Sequence, residues 1–341
     1  MAIIAFAGCK YTTRDCINKL IADGINVDIL ITISPELAQK NAVAGYEDLR
    51  DFAAERGIDV YTARRYDLKA PEDEAFFAEH NVDVLLVIGW ERLVPSNVLQ
   101  LIRRGAFGMH GSPRGLPYGR GRSPLNWSLI LDERRFRTSL FRYSPGVDDG
   151  DVVGTVEFEI NEFDTCKTLH FKNRMAMNWL LRERLPDILA GTAEYEPQPA
   201  VPPTFFPRRR PEDGATDWSR TSRFVYNHVR ALTRPYPGAY SLIGDARVTI
   251  WSCQPFGSVI PLAGKPGMIR EVFGDGSFAV EASDGLVLVT DYETSDDDVV
   301  REGAIFAAAP LEDLIGVIAE RYPADISEEQ MEITPQLFGR S

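Results

Sequence analysis

Short apolar runs alternate with amphipathic stretches along the first 150 residues of the chain. Wholly apolar runs predict buried strands, whereas apolar residues spaced three and four apart predict helices that cover a core. The predicted strands are residues 3–6, 27–33, 60–61 and 82–88, and the predicted helices are residues 12–23, 46–56 and 71–80. Strands that are apolar on both faces and separated by helices are typical of a mostly parallel sheet with helices on each side. The first part of the chain is therefore predicted to be a doubly wound α/β domain.

Proline separates the second part of the chain from the first. Residues 194–211 contain six prolines, which interrupt helices and strand ladders alike. After a predicted helix at 222–232, short strands punctuated by glycine predict a small β-barrel, at residues 239–242, 247–253, 267–272, 278–281 and 285–290. We expect a first domain of residues 1–193, a proline-rich linker of 194–215, a barrel domain of 216–310 and a C-terminal tail of 311–341, whose last twenty residues pack loosely.

Composition narrows the class of protein. The chain has 341 residues, is 44% hydrophobic and carries a net charge of −13, which opposes a large nucleic-acid footprint and leaves a small anionic ligand open. No apolar run approaches the roughly 20 residues that span a bilayer, and the N-terminus lacks a basic leader. The cysteines are scattered without a Cys-x-x-Cys pair (Cys9, Cys16, Cys166, Cys253). We therefore expect a cytoplasmic protein without a metal site, a membrane segment or a nucleic-acid partner.

His110 and Asp148 are the strongest candidates for chemistry. His110 lies between glycines where a strand should end, before a loop rich in Gly, Pro and Arg. Ligands of doubly wound sheets sit beyond the carboxyl ends of the strands, and functional residues concentrate on such loops. Asp148 by itself also fits an ordinary turn or a calcium loop, but no further carboxylates follow at EF-hand spacing. Gly8 opens no Gly-x-Gly-x-x-Gly motif, so a nicotinamide cofactor is not indicated.

Three motifs around these residues resemble the folate-dependent formyltransferases. Residues 108–112 (GMHGS), 116–124 (LPYGRGRSP) and 146–151 (GVDDGD) are similar to the Asn-x-His-x-Ser, Leu-Pro-x-x-Arg-Gly-x-x-Pro and Asp-x-Gly-Asp patterns of that family. Residues 206–214, 217–218, 229–231 and 235–239 look like the junction and second domain of its methionyl-tRNA and amino-sugar branches, where the second domain is OB-like. One departure stands out, because Gly108 occupies the place of the catalytic Asn of the family.

The resemblance implies a formyl-tetrahydrofolate co-substrate and a set of site residues. It implies that His110 polarises the formyl carbonyl and that Asp148 relays protons. Folate is expected on the loop after the fourth strand and on the Asp148 turn, through Gly89, Trp90, Leu93, Val94 and Asp148. The sequence allows Trp90 either to stack on the ligand or to fill the core. The substrate-binding candidates are Ser112, Arg120, Gly121, Arg208, Arg209, Arg210 and Arg230.

Loss of one oxyanion donor typically costs about 10² to 10³ in rate, so Gly108 calls for a substitute. Asn126 is the nearest side-chain amide in the motif block and is our candidate. Asn126 equally fits a cap at the N-terminus of the helix that it would begin. Backbone N–H groups of the glycine-rich loop are another source of the donor.

The charge of the second domain distinguishes the tRNA branch of the family from the amino-sugar branch. Residues 208–302 contain 11 Lys and Arg against 14 Asp and Glu, the wrong sign for a tRNA-binding barrel. A few forked arginines suffice for a diphosphate, so we expect a sugar N-formyltransferase that acts on a nucleotide-linked amino sugar, for a surface polysaccharide. The alternatives are formylation of methionyl-tRNA or a small-molecule amine, and a catalytically impaired protein that binds folate or a nucleotide-sugar. Homo-oligomer formation stays open.

Overall fold

The structure is a computed structural model that describes residues 2–334. In its first part the strands are β1 (Ile4–Ala7), β2 (Ile29–Thr32), β3 (Asp59–Thr62), β4 (Val84–Val87), β5 (Gly105–Ser112), β6 (Arg120–Gly121), β7 (Arg135–Arg142) and β8 (Val152–Glu159). The helices there are α1 (Tyr11–Ala22), α2 (Pro35–Lys40), α3 (Arg50–Ala54), α4 (Pro71–His80), α5 (Ser96–Leu101), α6 (Pro124–Ile130) and α7 (Cys166–Ala190).

Within the described residues, one sheet with the order β3-β2-β1-β4-β5-β7-β8 forms the centre of this part. The strands from β3 to β5 are parallel, whereas β7 and β8 add an antiparallel edge. Alternate residues of a strand face opposite sides of the sheet. In β1, Phe6 therefore packs toward α1 and α7, and Ala5 and Ala7 pack toward α4 and α5. The predicted mostly parallel α/β sheet is confirmed.

One predicted helix is shorter than its sequence pattern. Residues 46–56 were expected to be helical, but α3 contains only Arg50–Ala54. The tertiary structure holds the preceding residues in an extended conformation, because the Glu47 amide donates to the Cys9 carbonyl and the Tyr46 hydroxyl donates to the Ile33 carbonyl. These contacts fasten the segment to the carboxyl ends of β1 and β2.

The second part of the chain combines an antiparallel sheet with short helices. Its elements are β9 (Phe205–Phe206), α8 (Ser222–Leu232), β10 (Ala239–Ile243), β11 (Ala246–Gly257), β12 (Ile269–Val272), β13 (Phe278–Glu281), β14 (Leu286–Thr294) and α9 (Leu311–Ala319). The order β10-β11-β14-β13-β12 leaves two edges. Residues 303–307 bridge those edges, since Ile269 donates to Ala304 and Ala307 donates to Leu242. The predicted small β domain is confirmed, and its five-stranded sheet is antiparallel throughout.

The two parts share a hydrophobic core. One cluster joins Leu125 and Trp127 of α6 to Val225 and Val229 of α8 and continues into the strands of the second sheet. The Trp127 indole also donates to the Pro207 carbonyl at 3.0 Å. Burial of this apolar surface holds the second sheet against the first part of the chain.

The proline-rich linker and the tail pack on the rest of the chain. β9 lies in the linker and pairs in parallel with β6. β6 belongs to the loop rich in Gly, Pro and Arg that follows β5, residues 113–123, hereafter the catalytic loop. The linker therefore contributes a strand next to this loop. Ile333 is fully buried, its amide donates to the Tyr322 hydroxyl, and that hydroxyl donates to the Phe205 carbonyl. The expectation of loose packing is therefore wrong up to residue 334. The rest of the predicted tail, residues 335–341, lies outside the described residues.

Candidate functional site

His110 and Asp148 lie side by side at the edge of the first sheet. His110 is near the end of β5, and its Nδ1 lies 3.4 Å from Oδ2 of Asp148. Nε2 lies 2.9 Å from the Gly119 carbonyl, which can only accept, so Nε2 donates in that bond. The side chains are 9% and 20% exposed, respectively. The imidazole is thus held between two acceptors and still reaches the surface, which suits a group that exchanges protons with a ligand.

The backbone around Asp148 is a tight turn. Asp148 has a φ of +50°, a left-handed conformation that Asp tolerates better than most residues. Its Oδ2 accepts from the Gly121 amide at 3.3 Å. Gly121 has a φ of +96°, and a Cβ there would meet the Phe206 carbonyl oxygen at 2.7 Å. Glycine at 121 therefore lets the chain pass between β9 and the Asp148 carboxylate.

Gln198 is a site residue that the sequence did not reveal. Its amide nitrogen donates to the carbonyls of Asp148 and Gly150, both at 2.8 Å, and its Oε1 accepts from Arg120 at 2.6 Å. It lies among the linker prolines, where only its position before Pro199 suggested an extended backbone. Gln198 links Arg120 to the turn that carries Asp148.

Arg120 is partly buried beside this turn. Burial lowers the pKa of its guanidinium, while Asp149 and Asp148 act to raise it. Its Nε is buried and has no hydrogen-bond partner among residues 2–334. Ser112 is 1% exposed and its hydroxyl accepts from the Arg114 amide, so it supports the loop from inside.

The predicted folate loop follows β4 at the same rim. Gly89 has a φ of +81°, Val94 is 2% exposed and Leu93 is 48% exposed. Trp90 is 7% exposed and its ring packs edge-on against Tyr66 at 4.8 Å, which favours the core-filling reading. Its Nε1 is buried without a partner among the residues that the structure describes.

Ion pairs connect this loop to the catalytic loop. Glu91 accepts from Lys10, at the start of α1, and lies 3.2 Å from the guanidinium of Arg122. Burial would raise the pKa of Glu91, but Lys10 and Arg122 together hold it below its usual value. Loops after β1, β4 and β5 therefore meet around one carboxylate, next to the His110 strand.

Asn126 does not join this group. It lies in the interior of α6, is 3% exposed and donates from its amide to the Ala231 carbonyl at 2.6 Å. The N-cap of α6 is Ser123, so the cap reading is wrong as well. Asn126 serves the packing of α6 on α8 instead of supplying a donor beside His110.

The predicted arginines divide into three environments. Arg208 and Arg210 are exposed, and Arg209 is partly buried with its guanidinium 4.9 Å from the Trp127 ring centre. Arg230 is 3% exposed and donates to Asn227 and to the carbonyls of Asn161 and Asp164. Because these bonds tie its guanidinium to the chain itself, Arg230 is corrected from a substrate-binding residue to a structural one.

No three His, Cys, Asp or Glu side chains come together in a metal-binding cluster anywhere in residues 2–334. Over the same residues, none of the helices combines the length and apolarity needed to cross a membrane.

Two family models together match most of the chain. The sequence model described as "Formyl transferase" matches residues 1–185, which include His110 and Asp148. The model described as "Formyl transferase, C-terminal domain" matches residues 209–307.

Solved structures share the fold at low identity. An N-formyltransferase from Helicobacter canadensis, in complex with folinic acid and dTDP-3-aminofucose, is 17% identical with a TM-score of 0.64, covering 86% of this chain and 100% of that one. HypX from Aquifex aeolicus with tetrahydrofolic acid is 20% identical with a TM-score of 0.56, covering 86% of this chain and 44% of that one. Methionyl-tRNA formyltransferase from Clostridium thermocellum is 16% identical with a TM-score of 0.51, covering 87% of this chain and 100% of that one.

Proposed function

The chain belongs to the formyl transferase family, and from that premise we propose that it moves a formyl group from formyl-tetrahydrofolate to the amine of a nucleotide-linked amino sugar. The observation that carries the proposal is the His110–Asp148 pair at 3.4 Å, on the rim where the loops after β1, β4 and β5 meet. The Helicobacter canadensis enzyme, of the same fold, was solved with folinic acid and a dTDP-linked amino sugar, which supports both ligands.

The folate loop has features that suit an aromatic, amide-bearing ligand. Leu93 presents an exposed apolar side chain, and Trp90 holds a buried indole N–H without a partner among residues 2–334. Gly89, Trp90, Leu93, Val94 and the Asp148 turn would hold formyl-tetrahydrofolate. In formyl transfer the amine nitrogen bonds to the formyl carbon, the bond from that carbon to the folate nitrogen breaks, and a proton passes from the amine to the folate nitrogen.

His110 and Asp148 supply the polar groups that this exchange requires. The Asp148 carboxylate faces Nδ1 and orients the imidazole, and the Nε2–H, which donates to the Gly119 carbonyl, would be redirected to the developing oxyanion when substrate binds. Asp148 is itself 20% exposed, so it can take the proton of the attacking amine and return it to the leaving nitrogen. The Gly121 amide and Gln198 hold the carboxylate and its turn in position for both transfers.

Charge around the site favours a small anionic acceptor. Arg208 and Arg210 follow β9 closely, and β9 pairs with the catalytic loop through Phe206 and Gly121. Arg208 lies two residues and Arg210 four residues beyond β9, about 7 Å and about 14 Å of extended chain, so both side chains start from the strand that borders the catalytic loop. The surrounding second part has a net charge of about −3 over residues 208–302, which suits a few local phosphate contacts better than a tRNA backbone.

A direct test combines a binding screen with turnover. Thermal shifts are measured for a panel of nucleotide-linked amino sugars with 5-formyl-tetrahydrofolate present, and each ligand that stabilises is assayed for N-formyl product. We expect at least one nucleotide-linked amino sugar to be formylated. Arg208→Ala with Arg210→Ala should raise its KM about tenfold or more with little change in kcat, since diphosphate contacts far from the formyl carbon bind substrate and transition state alike.

The alternatives give different results in the same assays. Sub-micromolar binding of tRNA with a steep salt dependence would favour methionyl-tRNA as the acceptor. Turnover of a small-molecule amine, with no response to any nucleotide-sugar, would favour a different acceptor class. Tight folate binding without transfer to any amine would indicate a binding protein, as the departure at Gly108 would allow.

A further inference from the structure

Tyr143 fills the space in front of Gly108. Gly108 and His110 are two residues apart in β5, so their side-chain positions face the same side of the sheet. A Cβ at Gly108 would lie 2.2 Å from Cε2 of Tyr143 and 3.0 Å from both its Cζ and its hydroxyl oxygen. The phenol ring therefore lies on the His110 face of β5, in the place where a side chain of residue 108 would otherwise be.

The ring is fixed there by its neighbours. The Tyr143 amide donates to the Ala106 carbonyl at 2.8 Å, which fastens the chain just after β7 to the adjacent strand β5. Its ring stacks on Phe141 with a centroid distance of 5.3 Å and an interplanar angle of 24°. Phe141 is 1% exposed and is the cross-strand partner of Gly108. The position of the phenol is thus set by core packing and by the register of β5 on β7.

The Tyr143 hydroxyl is a donor that the protein itself leaves unused. Over residues 2–334 it makes no hydrogen bond, whereas Nε2 of His110 already donates to Gly119 and the Gly121 amide donates to Asp148. Burial raises the pKa of the Tyr143 hydroxyl, and the nearby Asp148 carboxylate raises it further. The phenol therefore stays protonated at neutral pH and remains a neutral hydrogen-bond donor next to the catalytic pair.

Formyl transfer needs a donor of this kind, because negative charge develops on the formyl oxygen as the amine attacks. Resting on the function proposed above, we propose that the Tyr143 hydroxyl donates a hydrogen bond to that oxygen, beside His110, and so acts as a catalytic residue. The amide atoms of an asparagine lie about 2.4 Å from its Cβ, and the Tyr143 hydroxyl lies 3.0 Å from the Cβ position of residue 108. Each side chain would thus place a donor within about 3 Å of the same Cβ position.

Gly108 and Tyr143 then form one functional unit. No side chain fits at residue 108 while the Tyr143 ring is present, since 2.2 Å is far inside van der Waals contact. The Tyr143 ring therefore requires glycine at residue 108, and the Tyr143 hydroxyl supplies the donor that an asparagine there would have supplied. A Gly108→Asn substitution alone should therefore harm the enzyme, because the amide displaces the phenol or is itself displaced.

Tyr143→Phe tests the role of the hydroxyl with the ring kept in place. The assay follows tetrahydrofolate release from 10-formyl-tetrahydrofolate with hydroxylamine, a small nucleophile that needs no sugar-binding site. We expect kcat to fall 10²- to 10³-fold, with the urea unfolding midpoint and the Kd for 5-formyl-tetrahydrofolate nearly unchanged. Tyr195→Phe is the matched control, because Tyr195 stacks over Phe107, whose side chain faces the other side of β5, and this variant should retain wild-type kcat. A Tyr143→Phe kcat within threefold of wild type would overturn the proposal.

An exchange of the two side chains separates donation from simple packing. Tyr143→Ala removes the ring and hydroxyl together, and adding Gly108→Asn returns a side-chain amide to the vacated space. We expect the double variant to recover kcat at least tenfold over Tyr143→Ala. A double variant no faster than Tyr143→Ala counts against donation. If all these effects appear with hydroxylamine while no nucleotide-linked amino sugar is formylated, the Tyr143 role is supported and the proposed acceptor is rejected.

Discussion

Replacing Asp148 with Asn removes one charge from the site and little else. The amide oxygen can still accept from the Gly121 amide, as Oδ2 does at 3.3 Å. Asn also tolerates the left-handed backbone of this turn, where φ is +50°. What is lost is the negative charge that faces Nδ1 of His110 and the capacity to carry a proton. The variant therefore isolates the electrostatic and acid–base role of the carboxylate.

The size of the effect follows from the distance between the two groups. A unit charge pair at 3.4 Å is worth about 1 kcal/mol at the dielectric constant of water and about 5 kcal/mol at an effective value of 20. Both side chains are mostly buried yet reach solvent, so we take an intermediate value of about 3 kcal/mol, or on the order of a hundredfold in rate. Loss of proton transfer adds to this, so kcat should fall by about 10² to 10⁴.

The assay is tetrahydrofolate release under saturating substrate, with urea unfolding measured in parallel. Asp149→Asn is the matched control, since Asp149 is the next carboxylate in the same turn, is exposed and accepts from the Ser144 hydroxyl instead of facing His110. We expect Asp149→Asn to keep kcat within about threefold of wild type. Equal losses in both variants would show that the turn needs its net charge in general, and an active Asp148→Asn enzyme would refute the proton-relay role.

Two further predictions concern positioning and pH. Gln198→Ala should lower kcat about tenfold and stability by about 1–2 kcal/mol, because Gln198 bonds both the Asp148 turn and Arg120. Unchanged kinetics and an unchanged urea midpoint would contradict that role. Burial lowers the pKa of His228 to about 4 from the usual 6.5, so the unfolded state binds the proton first as pH falls. His228 therefore contributes stability above pH 6.5 that is lost toward pH 4. Between pH 7 and pH 5 the wild type should lose about 2 kcal/mol more than His228→Gln in urea titrations, and parallel pH curves would refute this.

The sequence determined those features that depend on local periodicity. Helices α4 and α8 begin and end where the apolar spacing predicted, and strand β13 does the same. Apolar strands separated by helices can bury both faces only in a covered parallel sheet, so the order of elements already implied the fold class. Motif spacing also singled out His110 and Asp148, because a glycine-flanked histidine at a strand end and an Asp-rich turn are local patterns.

Only the tertiary structure decided which polar side chains face the site. Asn126 stood in the motif block, but its amide bonds a carbonyl 105 positions away in α8. Arg230 similarly points into the core, while Gln198 comes from a linker 50 positions beyond the turn that it clamps. These orientations depend on which element packs over each residue, and contacts between residues far apart in the chain leave no periodic signal.

The same reason explains the pairing of Gly108 with Tyr143. From the sequence alone, Gly108 indicates the loss of a functional side chain, because the tyrosine that fills its place lies 35 residues further along the chain. The antiparallel register of β5 on β7 brings the phenol into the vacant position, and that register is set by burial across the whole sheet. The sequence by itself determined that residue 108 has no side chain, and the fold decided that the space is filled and by which group.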